Sequence, residues 1–260
     1  MKKLFFLLLS PAVFLSCTKT ITPALNIAAP QLIIQGVVSD TAGPYYVSIV
    51  NSVGFYSDNT YSGVSGALVT ITDSTTGLRD LLTETTAGMY VTHRLGQGVY
   101  GHTYLLNVDF NGKAYTSSST MPKQVLLDSM TFDTSDTTQI MAQVNFQDPP
   151  NIANYYKYSM VINGVYDKRF QTFEDRLSDG LYIRKKVDAD TSEIKRNYNV
   201  QVSLVGIDKA VYTYLNEAED IAYKNDNLAA PANPASNISG GCLGYFSAQT
   251  VSSRKAVVKF

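Results

Sequence analysis

The chain has 260 residues, and its 21 Lys and Arg residues nearly balance its 22 Asp and Glu residues, for a net charge of −1. This balance excludes the strongly basic footprint that is typical of nucleic-acid-binding proteins, so no nucleic-acid partner is expected. Tyrosine is abundant, with 18 copies, and tryptophan is absent. Together with many Thr, Ser and Val residues, this composition favours β structure.

Residues 1–16 have the pattern of a secretory signal peptide. Lys2 and Lys3 precede a short apolar run, which does not reach the roughly 20 residues that a membrane-spanning helix requires. The run ends at Ser16-Cys17, and a cysteine directly after a small residue at this place resembles the lipobox of bacterial lipoproteins. That resemblance implies that Cys17 becomes the first mature residue and is acylated with fatty acids such as palmitate, which anchor the protein to a membrane. The alternative is an ordinary signal peptide that is cut nearby, with Cys17 left as a free thiol.

A linker and a first series of strands follow. Residues 17–30 contain two prolines and several small residues, a composition that predicts a tether. Residues 31–122 contain short runs of apolar and β-branched residues separated by turn signals. Asn111-Gly112 is typical of a two-residue hairpin turn. We therefore predict an N-terminal β-sandwich over residues 31–122.

Residues 123–260 are predicted to form a second β-rich domain with one helix. Asn163-Gly164 predicts another hairpin, and the end of the chain, after Gly240-Gly241, is predicted to form two strands. The helix is expected at about 208–224, with Asp208 as its N-cap. Four of its residues recur at helical spacing and are expected to face a core: Val211, Leu215, Ala218 and Ala222.

Few side chains form a pattern that is typical of catalysis or metal binding. His93 and His102 are the two histidines, and they fall in different predicted strands far from Cys242, so we predict no metal site. Cys242 is expected to be a buried, apolar residue. Two groups of acidic residues are interpreted as loops and turns rather than as calcium or acid–base sites: Asp188, Asp190 and Glu193, and Glu174, Asp175 and Asp179. We predict no catalytic residue and no cofactor.

A group of tyrosines, Tyr155, Tyr156 and Tyr158, is a candidate binding surface. Strand alternation places Tyr156 and Tyr158 on the same face. Exposed aromatic rings stack on sugars or anchor partner proteins. The alternative is that these tyrosines simply line a half-exposed sheet.

Several segments together resemble one family of lipoproteins. They are "LIIQGVVSDTAGPYYVSI", "VSGALVTITDSTTG", "GMYVTHRLGQGVYGHTYLLNVDFNGKAYTSSS", "DRLSDG" and "NISGGCLGYFSAQTVS". The family is a domain-of-unknown-function family of Bacteroidetes outer-membrane lipoproteins, often encoded beside TonB-dependent receptors, and the resemblance covers about residues 30 to 260. It implies an immunoglobulin-like or carboxypeptidase-regulatory-like sandwich at the N-terminus, a second β-rich region and no enzyme activity.

From these observations we expect a non-catalytic outer-membrane lipoprotein that binds a TonB-dependent uptake receptor or its ligand. The alternative is a structural or adhesive cell-envelope lipoprotein with no transport role. A hydrolase whose catalytic residues converge from distant positions is a third reading. Surface-exposed lipoproteins of the bacteria that carry this family often have acidic residues directly after the lipidated cysteine. The segment between Cys17 and residue 30 has no acidic residue, so the resemblance favours the periplasmic leaflet over the cell surface.

Overall fold

A computed structural model describes residues 30–54, 60–135, 139–189, 194–224 and 233–259 of the chain. The predicted signal peptide, the predicted acylation site Cys17 and all but the last residue of the predicted tether lie outside these described residues. The described residues are mainly β, as predicted, with sixteen strands and one α-helix that continues into a π-helical turn. Within the same residues, no helix has the length and apolar character needed to cross a membrane.

The first sandwich contains two sheets that share a core. One is the end β1-β2-β6-β5 of a nine-stranded sheet that continues into the second sandwich. This end is formed by β1 (Leu32–Ser39), β2 (Tyr46–Asn51), β5 (Thr83–Thr86) and β6 (Met89–Val91). The other has the order β4-β3-β7-β8, formed by β3 (Leu68–Asp73), β4 (Arg79–Leu81), β7 (Thr103–Phe110) and β8 (Lys113–Thr120). Because successive side chains of a strand point to opposite faces of the sheet, about every second residue reaches the interior. The interior residues include Ile34, Ile49, Ile71, Leu106 and Val108.

The second sandwich is built in the same way around its own core. A three-stranded sheet has the order β14-β10-β9, formed by β9 (Ser129–Asp133), β10 (Met141–Gln147) and β14 (Tyr182–Val187). The opposing strands belong to the other end of the nine-stranded sheet. They are β11 (Tyr155–Ile162), β12 (Val165–Tyr166), β13 (Gln171–Glu174) and β15 (Asn199–Ile207). Residues of both sheets fill the core, including Val144, Phe146, Tyr156, Met160 and Val202.

Both predicted hairpins are confirmed. Asn111 and Gly112 join β7 to β8 with φ angles of 50° and 74°, and Asn163 and Gly164 join β11 to β12 with φ angles of 49° and 82°. Asparagine and glycine tolerate these positive φ values better than other residues, which is why the dipeptide predicts the turn.

The predicted helix is α1 (Lys209–Glu219), followed by a π-helical turn (Asp220–Lys224). Asp208 is its N-cap, since its carboxylate accepts a hydrogen bond from the Val211 amide at 3.0 Å. Val211 and Leu215 face a core, as expected. The prediction for Ala222 is wrong, because this residue is exposed. The third buried helix residue is instead Glu219, whose carboxylate accepts hydrogen bonds from the amide and hydroxyl of Thr172.

The last strand connects the two sandwiches. The chain end forms one strand, β16 (Leu243–Val257), rather than the two strands predicted. Its first half pairs in parallel with β1, and its second half pairs antiparallel with β15. Phe246 and Ala248 consequently lie in the core of the first sandwich, although the sequence prediction placed them in the second domain. The strand is long enough to run past both sandwiches. The predicted boundary between the two domains, at residue 122, therefore does not apply to this segment.

Candidate functional site

The three tyrosines of the candidate binding surface have different environments. Tyr156 and Tyr158 share a face of β11, as expected, but that face points into the second core, where they are 1% and 0% exposed. These two rings are therefore closed to a partner, and the proposed surface is wrong for them. Tyr155 lies on the opposite face, half-buried against the helix residue Tyr212, with ring centroids 5.1 Å apart.

Next to these tyrosines lies a cluster of three carboxylates. Asp148 follows β10, Asp175 follows β13, and Asp179 lies in the loop before β14. One carboxylate oxygen from each residue lies within 4.8 Å of the other two. Asp148 and Asp175 are buried, whereas Asp179 is exposed. We call Asp148, Asp175 and Asp179 the carboxylate cluster.

Hydrogen bonds from three backbone amides and one tyrosine hydroxyl hold the carboxylate cluster in place. Asp148 accepts one from the Tyr156 hydroxyl at 2.6 Å and one from the Gly180 amide at 3.0 Å. Asp175 accepts one from the Asn154 amide at 2.9 Å, and Asp179 accepts one from the amide of residue 151 at 3.1 Å. These bonds connect the loop that follows β10 with the loop that follows β13.

A close steric contact brings the same two loops together. Gly180 has a φ of +70°, and a Cβ atom at this position would lie 2.9 Å from the Cβ of Pro150. Glycine is required here both for the positive φ and for the space. Pro149 and Pro150 end β10 because proline cannot donate to the strand ladder, so the chain turns away directly after Asp148.

The negative charge of the carboxylate cluster has no cationic partner among the described residues. No Lys or Arg side chain among the described residues forms an ion pair with the three carboxylates. Burial raises the pKa of Asp175 above its usual value, and the nearby charges of Asp148 and Asp179 raise it further. Burial also raises the pKa of Tyr156, with a further contribution from its hydrogen bond to Asp148, so this hydroxyl remains a donor.

Asn154 lies beside the carboxylate cluster, because its backbone amide donates to the Asp175 carboxylate. It is 6% exposed, and its side-chain Oδ1 accepts no hydrogen bond. The β11–β13 register pairs Tyr155 with Glu174, and its continuation sets Asn154 opposite Asp175, whose amide donates to the Asn154 carbonyl. Directly opposed residues of an antiparallel pair project to the same face with Cβ atoms about 5 Å apart. The Asn154 side chain therefore lies next to the Asp175 carboxylate.

The two loops also present apolar side chains to solvent. Leu177 is 91% exposed, and Leu181 and Ile152 are 56% and 51% exposed. A groove of about 430 Å³ is lined in part by Ile152, Asp175, Asp179 and Lys209. We call Ile152, Leu177 and Leu181 the apolar loop surface.

The sequence identified only part of this arrangement. Asp175 and Asp179 are close to Glu174 in the sequence, but Glu174 forms an ion pair with Arg176 at 3.2 Å. Asp148 was missed because it comes from a different hairpin of the fold. Its one sequence signal was its position between the apolar end of a strand and Pro149-Pro150.

The remaining candidates are separate from the carboxylate cluster. His102 Nδ1 lies 2.8 Å from Asp73 Oδ2, and His93 is exposed on the first sandwich. Cys242 is buried in the first core, where burial raises the pKa of its thiol, in agreement with the predicted apolar role. Asp188 pairs with Arg169 at 3.5 Å, while its neighbours Asp190 and Glu193 lie outside the described residues. In the part of the chain that the structure describes, the carboxylate cluster is the only group of metal-ligating side chains this close together.

Comparison with known families gives one match that covers almost the whole chain. Residues 18–255 match the family described as "Domain of unknown function (DUF4249)". Comparison with curated proteins gives no match. The match includes both sandwiches and the carboxylate cluster, and the chain belongs to the DUF4249 family.

Proposed function

We propose that this protein is a non-catalytic outer-membrane lipoprotein, anchored through Cys17, that binds a TonB-dependent uptake receptor. The anchor is inferred from the lipobox-like end of the signal peptide, and the receptor from the resemblance noted in the sequence. The lack of acidic residues after Cys17 supports a position on the periplasmic leaflet, beside the periplasmic side of such a barrel.

The apolar loop surface is the observation that carries the binding proposal. A leucine that is 91% exposed is unremarkable on a flexible tail, but Leu177 lies in a turn fixed at both ends. The amide of residue 178 donates to the Asp175 carbonyl at 2.6 Å, and the Gly180 amide donates to Asp148. Apolar groups held rigidly in water are typical of sites where a partner protein covers them.

A binding role also fits the residues that were considered for catalysis. The Cys242 thiol is buried and has a raised pKa, so it is not an activated nucleophile. The His102 ring is held by Asp73, which also accepts hydrogen bonds from the amides of residues 75 and 76. This arrangement supports a structural role in a turn of the first sandwich.

The test is recovery of the tagged full chain from native envelopes in mild detergent, with mass spectrometry of the proteins that accompany it. We expect a stoichiometric TonB-dependent receptor. The double variant Leu177→Gln/Leu181→Gln is expected to lose the receptor and to keep its membrane anchor. Leu81→Gln is the matched control, since Leu81 lies on the first sandwich and is 56% exposed, like Leu181.

Two outcomes contradict the proposal. If the protein is recovered alone while a known receptor–lipoprotein pair survives the same detergent, the structural or adhesive alternative is favoured. If Leu81→Gln removes the receptor as efficiently as the double variant, the apolar loop surface is not the binding site. The variant Cys17→Ala tests the anchor separately. It is expected to abolish acylation and to release the protein from the membrane fraction.

A further inference from the structure

We infer that the carboxylate cluster, together with the side-chain oxygen of Asn154, is a binding site for a hard divalent cation with the coordination preferences of Ca²⁺. This inference goes beyond the proposed function and does not depend on it. It rests on the geometry of the oxygens, on their burial and on the types of ligand that are present.

The spacing of the carboxylates matches one coordination sphere. Ca²⁺ binds oxygens at about 2.3–2.6 Å, so two oxygens that share the ion are separated by no more than about 5 Å. One oxygen from each of Asp148, Asp175 and Asp179 lies within 4.8 Å of the others. Three carboxylates at this separation, two of them buried, repel one another unless a positive charge lies between them.

Asn154 provides an independent indication of a ligand. Its side-chain oxygen is buried and accepts no hydrogen bond, and a buried acceptor without a partner costs about 1–3 kcal/mol. The cross-strand pairing places the Asn154 side chain beside Asp175, whose carboxylate accepts a hydrogen bond from the Asn154 backbone amide. A cation satisfies the amide oxygen and the carboxylates together, and amide oxygens are common Ca²⁺ ligands.

The ligand set distinguishes between classes of metal. The three aspartates and Asn154 all offer oxygen, and the cluster includes neither histidine nor cysteine, which disfavours Zn²⁺ and Cu²⁺. Four protein oxygens from two loops exceed the one or two carboxylates through which Mg²⁺ is usually held. The exposed side of the cluster, at Asp179 and the adjoining groove, admits the waters that complete a Ca²⁺ shell of six to eight ligands.

A bound cation would connect three parts of the second sandwich. Asp148 lies at the end of β10, Asp175 lies at the end of β13, and Asn154 precedes β11. The ion would therefore fix the two loops that carry the apolar loop surface. Its binding free energy would add to the stability of the folded chain, because the unfolded chain has no such site.

The experiment is calorimetric titration of Ca²⁺ into the purified full chain in detergent, after removal of metals with a chelator. We expect one Ca²⁺ per chain, with a dissociation constant of about 1 mM or tighter, which is the weak end for extracellular calcium sites. Thermal unfolding followed by circular dichroism is expected to shift to higher temperature with Ca²⁺ and less with Mg²⁺.

Asp179→Asn is the test variant, because Asp179 is exposed and an asparagine oxygen still accepts the hydrogen bond from residue 151. It is expected to fold normally, with a melting temperature in chelator equal to or above that of the unaltered chain because one repelling charge is removed, and to weaken Ca²⁺ binding at least about tenfold through loss of a charged ligand. Asp128→Asn is the matched control, since Asp128 is an exposed aspartate outside the cluster. It is expected to bind Ca²⁺ as the unaltered chain does.

Three results would overturn the inference. They are no heat and no thermal shift up to about 1 mM Ca²⁺, equal binding by Asp179→Asn and the unaltered chain, and tighter binding of Mg²⁺ than of Ca²⁺. All of these measurements use the isolated protein, so their failure is distinguishable from failure to bind a receptor.

Discussion

The hydrogen bond from Tyr156 to Asp148 allows a direct test of what stabilises the buried part of the carboxylate cluster. Asp148 is fully buried, and it accepts two hydrogen bonds, from the Tyr156 hydroxyl at 2.6 Å and from the Gly180 amide at 3.0 Å. Tyr156→Phe keeps the ring and removes only the hydroxyl donor. Hydrogen bonds to charged groups contribute about 1.5–3 kcal/mol. We therefore expect Tyr156→Phe to lower the free energy of unfolding by about 2–3 kcal/mol.

Tyr158 provides a matched control on the same strand and the same face. It is also fully buried, but its hydroxyl makes no hydrogen bond. Tyr158→Phe removes a buried polar group that has no partner, so the free energy of unfolding is expected to stay constant or to rise by up to about 1 kcal/mol.

Urea unfolding in chelator, followed by circular dichroism, measures both variants without interference from a bound cation. The m-values should agree with that of the unaltered chain, so that midpoints compare stabilities. Equal losses in the two variants would show that core shape, rather than the bond to Asp148, determines the result. No loss in Tyr156→Phe would also refute the reasoning.

Three further predictions concern the first sandwich. A Cβ on Gly244 (φ +96°) would lie 2.0 Å from a carbonyl oxygen of β1, whereas a Cβ on Gly241 (φ +72°) meets nothing within 4 Å. In urea unfolding we therefore expect Gly244→Ala to lower the free energy of unfolding by more than about 3 kcal/mol, and Gly241→Ala to lower it by about 1 kcal/mol. Burial alone would raise the pKa of Asp73, but hydrogen bonds, the largest from His102, outweigh it and lower that pKa. The resulting stabilisation is complete above the unfolded pKa of about 4 and is lost as pH falls through the lowered folded pKa, so the stability of Asp73→Asn should fall less on acidification. A fragment of residues 31–122 lacks β16 and is expected to show no native circular dichroism; a folded fragment would contradict the shared-strand architecture.

Features set by neighbouring residues could be predicted from the sequence. The Asn-Gly hairpins depend on two residues that tolerate positive φ, and the start of α1 depends on Asp208 and the amide three residues later. Strand alternation likewise predicted that Tyr156 and Tyr158 share a face. Each of these signals involves a few consecutive residues, so the rest of the fold does not need to be known.

Features set by distant residues could not be predicted in this way. Alternation does not say which face of β11 is interior, because that depends on the sheet containing β10, whose Phe146 packs edge-on against Tyr156 at 5.4 Å. The same applies to the carboxylate cluster, since Asp148 joins Asp175 only after β11 and β13 have paired. Glu219 shows a related effect, because its burial on the helix depends on hydrogen bonds from Thr172 on β13.

β16 explains why a division of the chain into two consecutive domains is inadequate. Its first half fills the position beside β1 and places Phe246 in the first core, while its second half completes the ladder of β15. The first sandwich therefore lacks one strand and part of its core until the last residues of the chain are in place. Ser119 on β8 strengthens the connection, because its hydroxyl donates to Asp208 at the start of α1 and accepts from the amide of residue 248 at 2.7 Å. Since these contacts form only when both sandwiches are folded, we expect the stability of each sandwich to depend on the other.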